Sequence, residues 1–493
     1  MTETSLSAST GEAGSTPSGA RSLRQVWPAI AGLAAVFLFE MLDNSILNVA
    51  LPTIGRDLNA STTALQWVTG SYAVVFGGLM LVFGAVADRF GRRRVMLAGL
   101  VLLGLASAAT AAVTTAEQLI AVRVVMGIAA AMTTPGAMSL AFRLFDDDAL
   151  RVRALNIITT VGLVGLAAGP TAGGLILQVA PWQVLLLINV PIALLAFVGI
   201  QRGIAPDAPE ELHQDPIDVS GAVLGTATIL LVLTAPTFFV EDGVGSAAGW
   251  TAAVAAIISM VAFVVRERHA THPLLDFKLL ARPLVSSGLA YKAAQGLGTA
   301  ALTYLVTLQL QLDWGWSAAQ AAIGMLPQVV VLLAGGFVVS PFVKRAGLAA
   351  AAWISSASIV LGLGVYAALG TYGYLWVAVA LVLVAFGTRM VGIVAATNVM
   401  RGLPTNRTTI GAALIDTASQ VTTGIGIAGT GTILAAFFTG SIAANNWTAA
   451  QTNQFENGVR IAGLAVTALA AVLVLWGFLR ARGTEPAAST GDH

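Results

Sequence analysis

The chain of 493 residues contains no cysteine. Disulfides, thiolate metal centres and a cysteine nucleophile are therefore excluded. Charge is scarce too: Asp, Glu, Lys and Arg make up 10% of the residues, against about 25% in ordinary soluble domains. The 25 basic and 24 acidic residues nearly cancel, so no bulk charge draws the chain to nucleic acid. Histidine occurs only at His213, His269, His272 and His493, all in polar stretches, which leaves no histidine relay or metal site inside an apolar segment. There is no G-x-x-x-x-G-K-[ST] loop, which argues against an ATP-driven pump. "GIGIAG" (424 to 429) fits a dinucleotide pattern, but it sits in an apolar run with no strand before it and reads as helix packing. No nucleophile and base, or metal constellation, borders the apolar segments, so neither an enzyme nor a cofactor is expected. No short apolar core precedes a small-residue cleavage site, so no removable signal peptide is expected.

What the chain does have is apolar length: 57% of its residues are hydrophobic, 52 are Gly, and mean hydropathy is +0.83. That composition identifies an integral membrane protein, and about 20 apolar residues span a bilayer as a helix. Fourteen transmembrane helices are predicted, at about 27 to 51, 65 to 86, 95 to 113, 117 to 142, 155 to 178, 183 to 200, 218 to 239, 250 to 266, 284 to 309, 318 to 340, 348 to 368, 375 to 398, 409 to 437 and 459 to 479. Of the basic residues, Arg56 and Arg460 fall on one face, Arg123, Lys292 and Arg389 fall inside helices, and the other 20 fall on the second face. Lys and Arg favour cytoplasmic loops, so both termini are predicted to be cytoplasmic. The helix ends "GAVADRFGRRR" and "GGFVVSPFVKRAG" resemble each other and suggest an internal repeat. The predicted fold is all-α, two six-helix bundles plus an inserted helix pair. Residues 1–24 form a disordered tail, 25–202 the first bundle, 203–283 the linkers and inserted pair, 284–480 the second bundle and 481–493 a second tail. Smooth packing within one chain makes monomer the default expectation.

Two motifs have a direct physical reading. In "GAVADRFGRRR", Gly84 permits close helix approach, Asp88 can cap or pair at a helix end, and Gly91 permits a tight turn before Arg92 and Arg93. In "GLVGLAAGPTAGG", glycines at 162, 165, 169 and 173 share a helix face and Pro170 bends the helix. Together with "LDNSILNVALP" (42 to 52) and "LIAVRVVMGIAAA" (119 to 131), these stretches resemble the fourteen-helix drug:proton antiporter branch of the major facilitator superfamily. The match is concentrated in residues 42 to 174. The resemblance implies that Gly84, Asp88, Arg89, Gly91, Arg92 and Arg93 form a latch for the outward-facing state; anchoring of the arginines at the cytoplasmic face is the alternative. It also implies that Gly165, Gly169, Pro170, Gly173 and Gly174 serve the conformational change, against static packing alone.

Inside the apolar segments, Glu40, Asp43, Asn44 and Asn48 recur on one side of the first helix. A charge at mid-membrane costs roughly 2.5 to 3.5 kcal/mol, so this stripe should face protein or water. The other intramembrane charges are Arg123, Lys292, Arg389 and Asp416. In the superfamily the helices that carry Glu40, Asp43, Arg123, Lys292 and Arg389 line a central cavity. Glu40, Asp43 and Asp416 are therefore candidates for proton coupling, and Asn44, Asn48, Arg123, Lys292 and Arg389 for the cavity and substrate. Two alternatives stand beside this: a fixed Asp43 to Arg123 ion pair, and a Lys292 that snorkels to the interface. Trp67, Tyr72 and Trp182 are expected as interfacial anchors, with contact to a ligand the alternative for Trp67 and Tyr72. The predicted function is proton-coupled export of amphiphilic small molecules across a bacterial inner membrane. An exporter or symporter of an anionic or zwitterionic metabolite is the second reading, and the partners are substrate, protons and the bilayer.

Overall fold

The computed structural model describes residues 26–144, 148–207, 218–242, 246–270, 277–403, 408–439, 442 and 447–482. Its helices are α1 (Trp27–Asp57), α2 (Thr62–Phe90), α3 (Arg92–Ala109), α4 (Ala116–Arg143), α5 (Asp148–Ile176), α6 (Gln183–Leu187), α7 (Asn189–Gly203), α8 (Val219–Asp242), α9 (Ala247–His269), α10 (Phe277–Leu280), α11 (Pro283–Leu308), α12 (Ala318–Gly324), α13 (Leu326–Ala346), α14 (Leu348–Leu369), α15 (Tyr374–Gly402), α16 (Thr408–Phe437) and α17 (Ala449–Arg482). No strand occurs among the described residues.

Each of the fourteen segments read from the sequence carries helix. Among the described residues, nine helices are long and apolar enough to cross a membrane, and twelve if each of three bent pairs counts as one span. The two remaining segments are α8, whose apolar stretch Val219–Val232 is shorter, and α11, whose apolar character is diluted by Tyr291, Lys292 and Gln295. The count of fourteen crossings rests on the sequence for those two.

Local chemistry sets the helix ends. On the face opposite the basic loops, Ser61, Thr115, Ser246 and Ser317 cap α2, α4, α9 and α12 by accepting from main-chain N–H groups. Each satisfies a donor that a helix start otherwise leaves unpaired. On the basic face, Arg89, Arg202, Arg266 and Arg401 stand in the last turns of α2, α7, α9 and α15, where the helix dipole favours a cation. In α5 the axis bends by 43° between Ile157–Leu166 and Ala168–Ile176. The bend lies at residue 167, because the ring of Pro170 clashes with the preceding turn.

The helices sort by their contacts. In the first group α1 packs on α5 and α7, α2 on α4, and α3 on α4 and α7; in the second, α11 packs on α15, α16 and α17, and α14 on α15 and α17. The helices α8 and α9 pack on each other, and α8 lies along α2 and α16, where Thr226 donates to the carbonyl of Gly78 at 3.1 Å. Two expected anchors are corrected here. Tyr72 is fully buried, and Trp182 is buried with its indole N–H donated to Asp57 at 2.7 Å. Both rings lie inside the protein, Tyr72 beside the Arg123 guanidinium and Trp182 bonded to Asp57, where a headgroup anchor would be at the lipid boundary. Trp67 is partly buried against Val74 and Ala428.

Candidate functional site

The polar stripe of α1 is turned inward, with Glu40, Asp43 and Asn48 all buried. Asn44 shares the helix, but its side chain lies outside the described residues. The stripe divides into two sets of contacts.

Asp43 and Arg123 form a closed unit inside the first group. Their side chains are 2% exposed or less, and Nη1 of Arg123 lies 2.6 Å from Oδ2 of Asp43. The other carboxylate oxygen accepts from Asn189 on α7 at 3.0 Å. Arg123 also donates from Nε to the carbonyl of Val68 at 3.1 Å, and its guanidinium lies 4.4 Å from the centre of the Tyr72 ring. Three helices besides α1 thus contribute to the pair. A buried ion pair is tolerated when further hydrogen bonds satisfy both ions, and this one has them.

Glu40, one turn away, reaches across the molecule. Its Oε2 accepts from the hydroxyl of Thr134 on α4 at 3.3 Å, and its Oε1 accepts from Nε2 of Gln420 on α16 at 3.1 Å. Asp416, one turn before Gln420, and Lys292 on α11 lie close enough to Glu40 to act on its charge, and to act on each other. Lys292 is partly buried among them. These three ionisable groups come from α1, α11 and α16 and meet between the two helix groups. Arg389 does not join them: its stem lies against Gly335 of α13, where an added Cβ would be 3.2 Å from Cγ.

Among the described residues, the hydrogen bonds and glycine approaches that join the two groups lie from the level of Glu40 toward the opposite face. Gln66 of α2 donates to Thr432 of α16 at 3.0 Å, and Gln311, in the π-helical turn Gln309–Asp313 after α11, donates to the carbonyl of Val49 at 2.9 Å. Between them, α2 and α16 approach so closely that a Cβ on Gly77 would sit 3.0 Å from the main-chain nitrogen of Val421. The α5 glycines at 165, 169 and 173 pack on α1 within the first group. A Cβ at Gly165 would meet Leu38 at 2.9 Å, one at Gly173 would meet Ile46 at 2.8 Å, and one at Gly169 would overlap the hydroxyl of Ser45, all on α1. Gly174 instead turns to α12, which runs into α13 and through it packs on α14 and α15 of the second group; its Cβ would lie 2.6 Å from the carbonyl of Ala318.

On the basic face, Asp88 is paired with Arg92 one turn on, with Oδ1 2.7 Å from Nη2. Gly91 has φ +102°, a backbone conformation that favours glycine. Its turn docks on the end of the first group: the N–H of Arg93 donates to Asp207 at 3.0 Å, and the Arg93 guanidinium to the carbonyl of Gln201 at 2.8 Å. Arg89 lies against the neighbouring Phe90 ring, and Gly84 faces Pro135 of α4. The described contacts of Asp88, Gly91, Arg92 and Arg93 stay within the first helix group.

Sequence reasoning missed Thr134, Asn189, Gln420, Gln66 and Gln311. Their one available signal was a neutral polar side chain in or beside an apolar segment, which a membrane helix keeps mainly to bond another helix.

An all-α bundle with two packed helix groups and ionisable side chains between them is the setting of a transport fold, and the comparisons agree. The cephamycin export protein CmcT of Amycolatopsis lactamdurans is 34% identical over 337 residues, 68% of this chain and 67% of that protein. The multidrug efflux pump LfrA of Mycolicibacterium smegmatis is 30% identical over 437 residues, 87% of this chain and 84% of that one. Among solved structures, a bacterial homologue of the human lysosomal transporter Spinster, inward-facing and unoccupied, superposes with a TM-score of 0.66 at 16% identity, covering 94% of this chain and 98% of that one; at that identity the likeness concerns the fold alone. The family model of the Major Facilitator Superfamily matches residues 33–427, and the chain belongs to that superfamily.

Proposed function

We propose that the protein is a proton-coupled exporter of amphiphilic small molecules or drugs, working by alternating access as an antiporter. The observation that carries this reading is the placement of Glu40, Asp416 and Lys292 between the two helix groups, with Glu40 hydrogen-bonded to both. A carboxylate there is exposed to whichever side the groups open toward, so it can bind a proton on one side and release it on the other. The similarity to a cephamycin export protein and a multidrug efflux pump supports drugs as the cargo class.

In this reading the basic face is cytoplasmic, as the distribution of Lys and Arg implies, and the membrane is a bacterial inner membrane. The contacts on the opposite face then belong to a form closed toward the outside. The Asp88 turn, docked on its own helix group, is a latch not engaged with the second group. Asp43 is a fixed partner of Arg123, and proton exchange falls to Glu40 and Asp416. Asn48 and Lys292 contribute to the substrate cavity. Lys292 also favours a second reading, export of an anionic or zwitterionic solute, because it supplies a cation at the same place.

The test is efflux of a fluorescent amphiphilic cation from proteoliposomes under an imposed pH gradient, for the wild type, Glu40→Gln and Asp416→Asn. Gradient-driven flux that collapses in either variant supports proton antiport. A wild type that moves anions or zwitterions under the gradient, and no cation, supports the second reading. Flux of neither kind overturns both.

A further inference from the structure

The hydrogen bond between Glu40 and Gln420 joins residues 380 positions apart, and it is the described hydrogen bond that ties an intramembrane acid of the first group to a side chain of the second. We propose that Gln420 is the positioning residue that reads the protonation state of Glu40 and transmits it to α16, and hence to the seam between the two helix groups. This inference rests on Glu40 being a proton carrier, as proposed above.

The geometry gives the reasoning. Gln420 is 9% exposed and Thr134 is 4% exposed, so neither has bulk water as an alternative partner. A carboxylate only accepts hydrogen bonds, and Glu40 has a donor on each oxygen, the Thr134 hydroxyl and the Gln420 amide. A proton bound to Oε1 turns that oxygen into a donor facing an N–H donor. The amide must then turn over or withdraw. Thr134 is a hydroxyl, able to rotate and accept, and it belongs to the same helix group as Glu40. Protonation of either oxygen thus weakens the bond that crosses between groups: on Oε1 it sets a donor against a donor, and on Oε2, with Thr134 turned to accept, it leaves Oε1 a neutral and weaker acceptor for Gln420.

Gln420 is also well placed to pass the change on. It adjoins Val421, where α16 meets α2 at Gly77 so tightly that a Cβ there would be 3.0 Å from the Val421 nitrogen and 3.3 Å from the carbonyl carbon of Gln420. Further along the same seam lie Gly424 against Val74 and Thr432 bonded to Gln66. A movement of Gln420 away from Glu40 thus acts at the inner end of a continuous line of backbone contact. Other groups act on Glu40 as well: Asp416 on α16 and Lys292 on α11; the Asp43–Arg123 pair and Glu40 share Tyr72 of α2 as a neighbour. Lys292 and Asp416 oppose each other in charge, whereas Gln420 is neutral and bonds Glu40 directly. Its effect is directional.

The experiment is the pH dependence of gradient-driven efflux in proteoliposomes for the wild type, Gln420→Leu, Gln420→His and Gln66→Leu. Gln420→Leu removes the donor and keeps the bulk. Loss of a donor to a carboxylate favours the protonated form, so the midpoint should move to higher pH by about one to two units. Gln420→His retains an N–H and should return the midpoint toward that of the wild type. Gln66→Leu breaks the same α2–α16 seam away from any acid, so its midpoint should stay in place even if its rate changes. If Gln420→Leu does not reach the membrane, Gln420→Asn, one methylene shorter, carries the same expectation. A wild-type midpoint in Gln420→Leu or Gln420→Asn, or an equal shift in Gln66→Leu, overturns the inference while leaving proton antiport standing. A wild type without gradient-driven flux removes the reading on which the inference depends.

Discussion

Gln311 donates to the main-chain carbonyl of Val49 at 2.9 Å, linking the end of α11 to α1 across the two helix groups. The acceptor lies three residues before Pro52, which stands inside α1. Proline removes the donor for the carbonyl four residues back, that of Asn48, and its ring crowds that turn; the Val49 carbonyl lies in the same turn. The contact involves no charge, and neither does the Gln66 to Thr432 contact on the other seam, so the described side-chain hydrogen bonds that join the groups toward this face are neutral.

Loss of the Gln311 contact should therefore favour opening of that face. A neutral hydrogen bond contributes about 1 kcal/mol, close to a fivefold change in an equilibrium. Because the chain has no cysteine, a single cysteine at position 48, buried on α1, can report access without other substitutions. In a Gln311→Ala background its labelling from the face opposite the basic loops should be about five times faster. An unchanged rate would show that the contact does not restrain opening.

Asp43 should behave as a structural residue. With Arg123 at 2.6 Å and both side chains buried, Asp43→Asn leaves an uncompensated guanidinium and should cost about 3 to 5 kcal/mol. Thermal unfolding in detergent should show a clear fall in Tm for Asp43→Asn and for Arg123→Gln, with the double variant less affected than the two losses added together. A variant of normal Tm that has lost proton-coupled flux would instead make Asp43 a carrier.

Much of this was legible in the sequence. The apolar runs located the helices, and the spacing of Glu40, Asp43 and Asn48 gave their common inward face, because burying charge in a bilayer leaves few alternatives. The α5 glycines read correctly as a packing face, since only the lack of a Cβ permits the approach to Leu38 and Ile46. What the sequence could not show was how the acids divide. Asp43 and Glu40 are three residues apart, yet one is enclosed within its own group and the other reaches Gln420 in the second. That division depends on where α7 and α16 pass, which is a matter of packing between segments far apart in sequence. Tyr72 differs for a related reason: it stands in the body of α2, where the Arg123 guanidinium and the Phe76 ring pack against it, and those neighbours come from packing between helices.

Outside the spans, Asp313 supplies a pH dependence whose sign can be worked out. Partial burial, and then the negative charge of Glu456, push its carboxyl up from the ordinary 3.8 to about 6. The folded protein thus holds this proton more tightly than the unfolded chain does. Its contribution favours folding below the unfolded value and is lost as pH rises through about 6. Asp313→Asn should flatten that part of the stability profile, as measured by Tm between pH 4 and pH 7 (about the window that brackets the two values). The same slope in the variant would assign it to another group.

The glycine contacts of α5 separate static packing from movement. Gly169 and Gly173 pack on α1 within one helix group, whereas Gly174 meets the carbonyl of Ala318 and the Cβ of Ala322 on α12 in the other. A methyl at position 169 strikes the hydroxyl of Ser45, a residue that also donates to the carbonyls of Met41 and Leu42. Gly169→Ala should therefore lower stability by roughly 1 to 3 kcal/mol, as overpacking does, and Ser45→Ala should restore part of the loss. Gly174→Ala has a different target. Its methyl collides only where the two groups are closed on the opposite face, so it should change Tm less and opening more. Labelling of the position-48 cysteine should rise in Gly174→Ala and not in Gly169→Ala. Equal labelling in the two variants would mean that the glycine face serves packing alone.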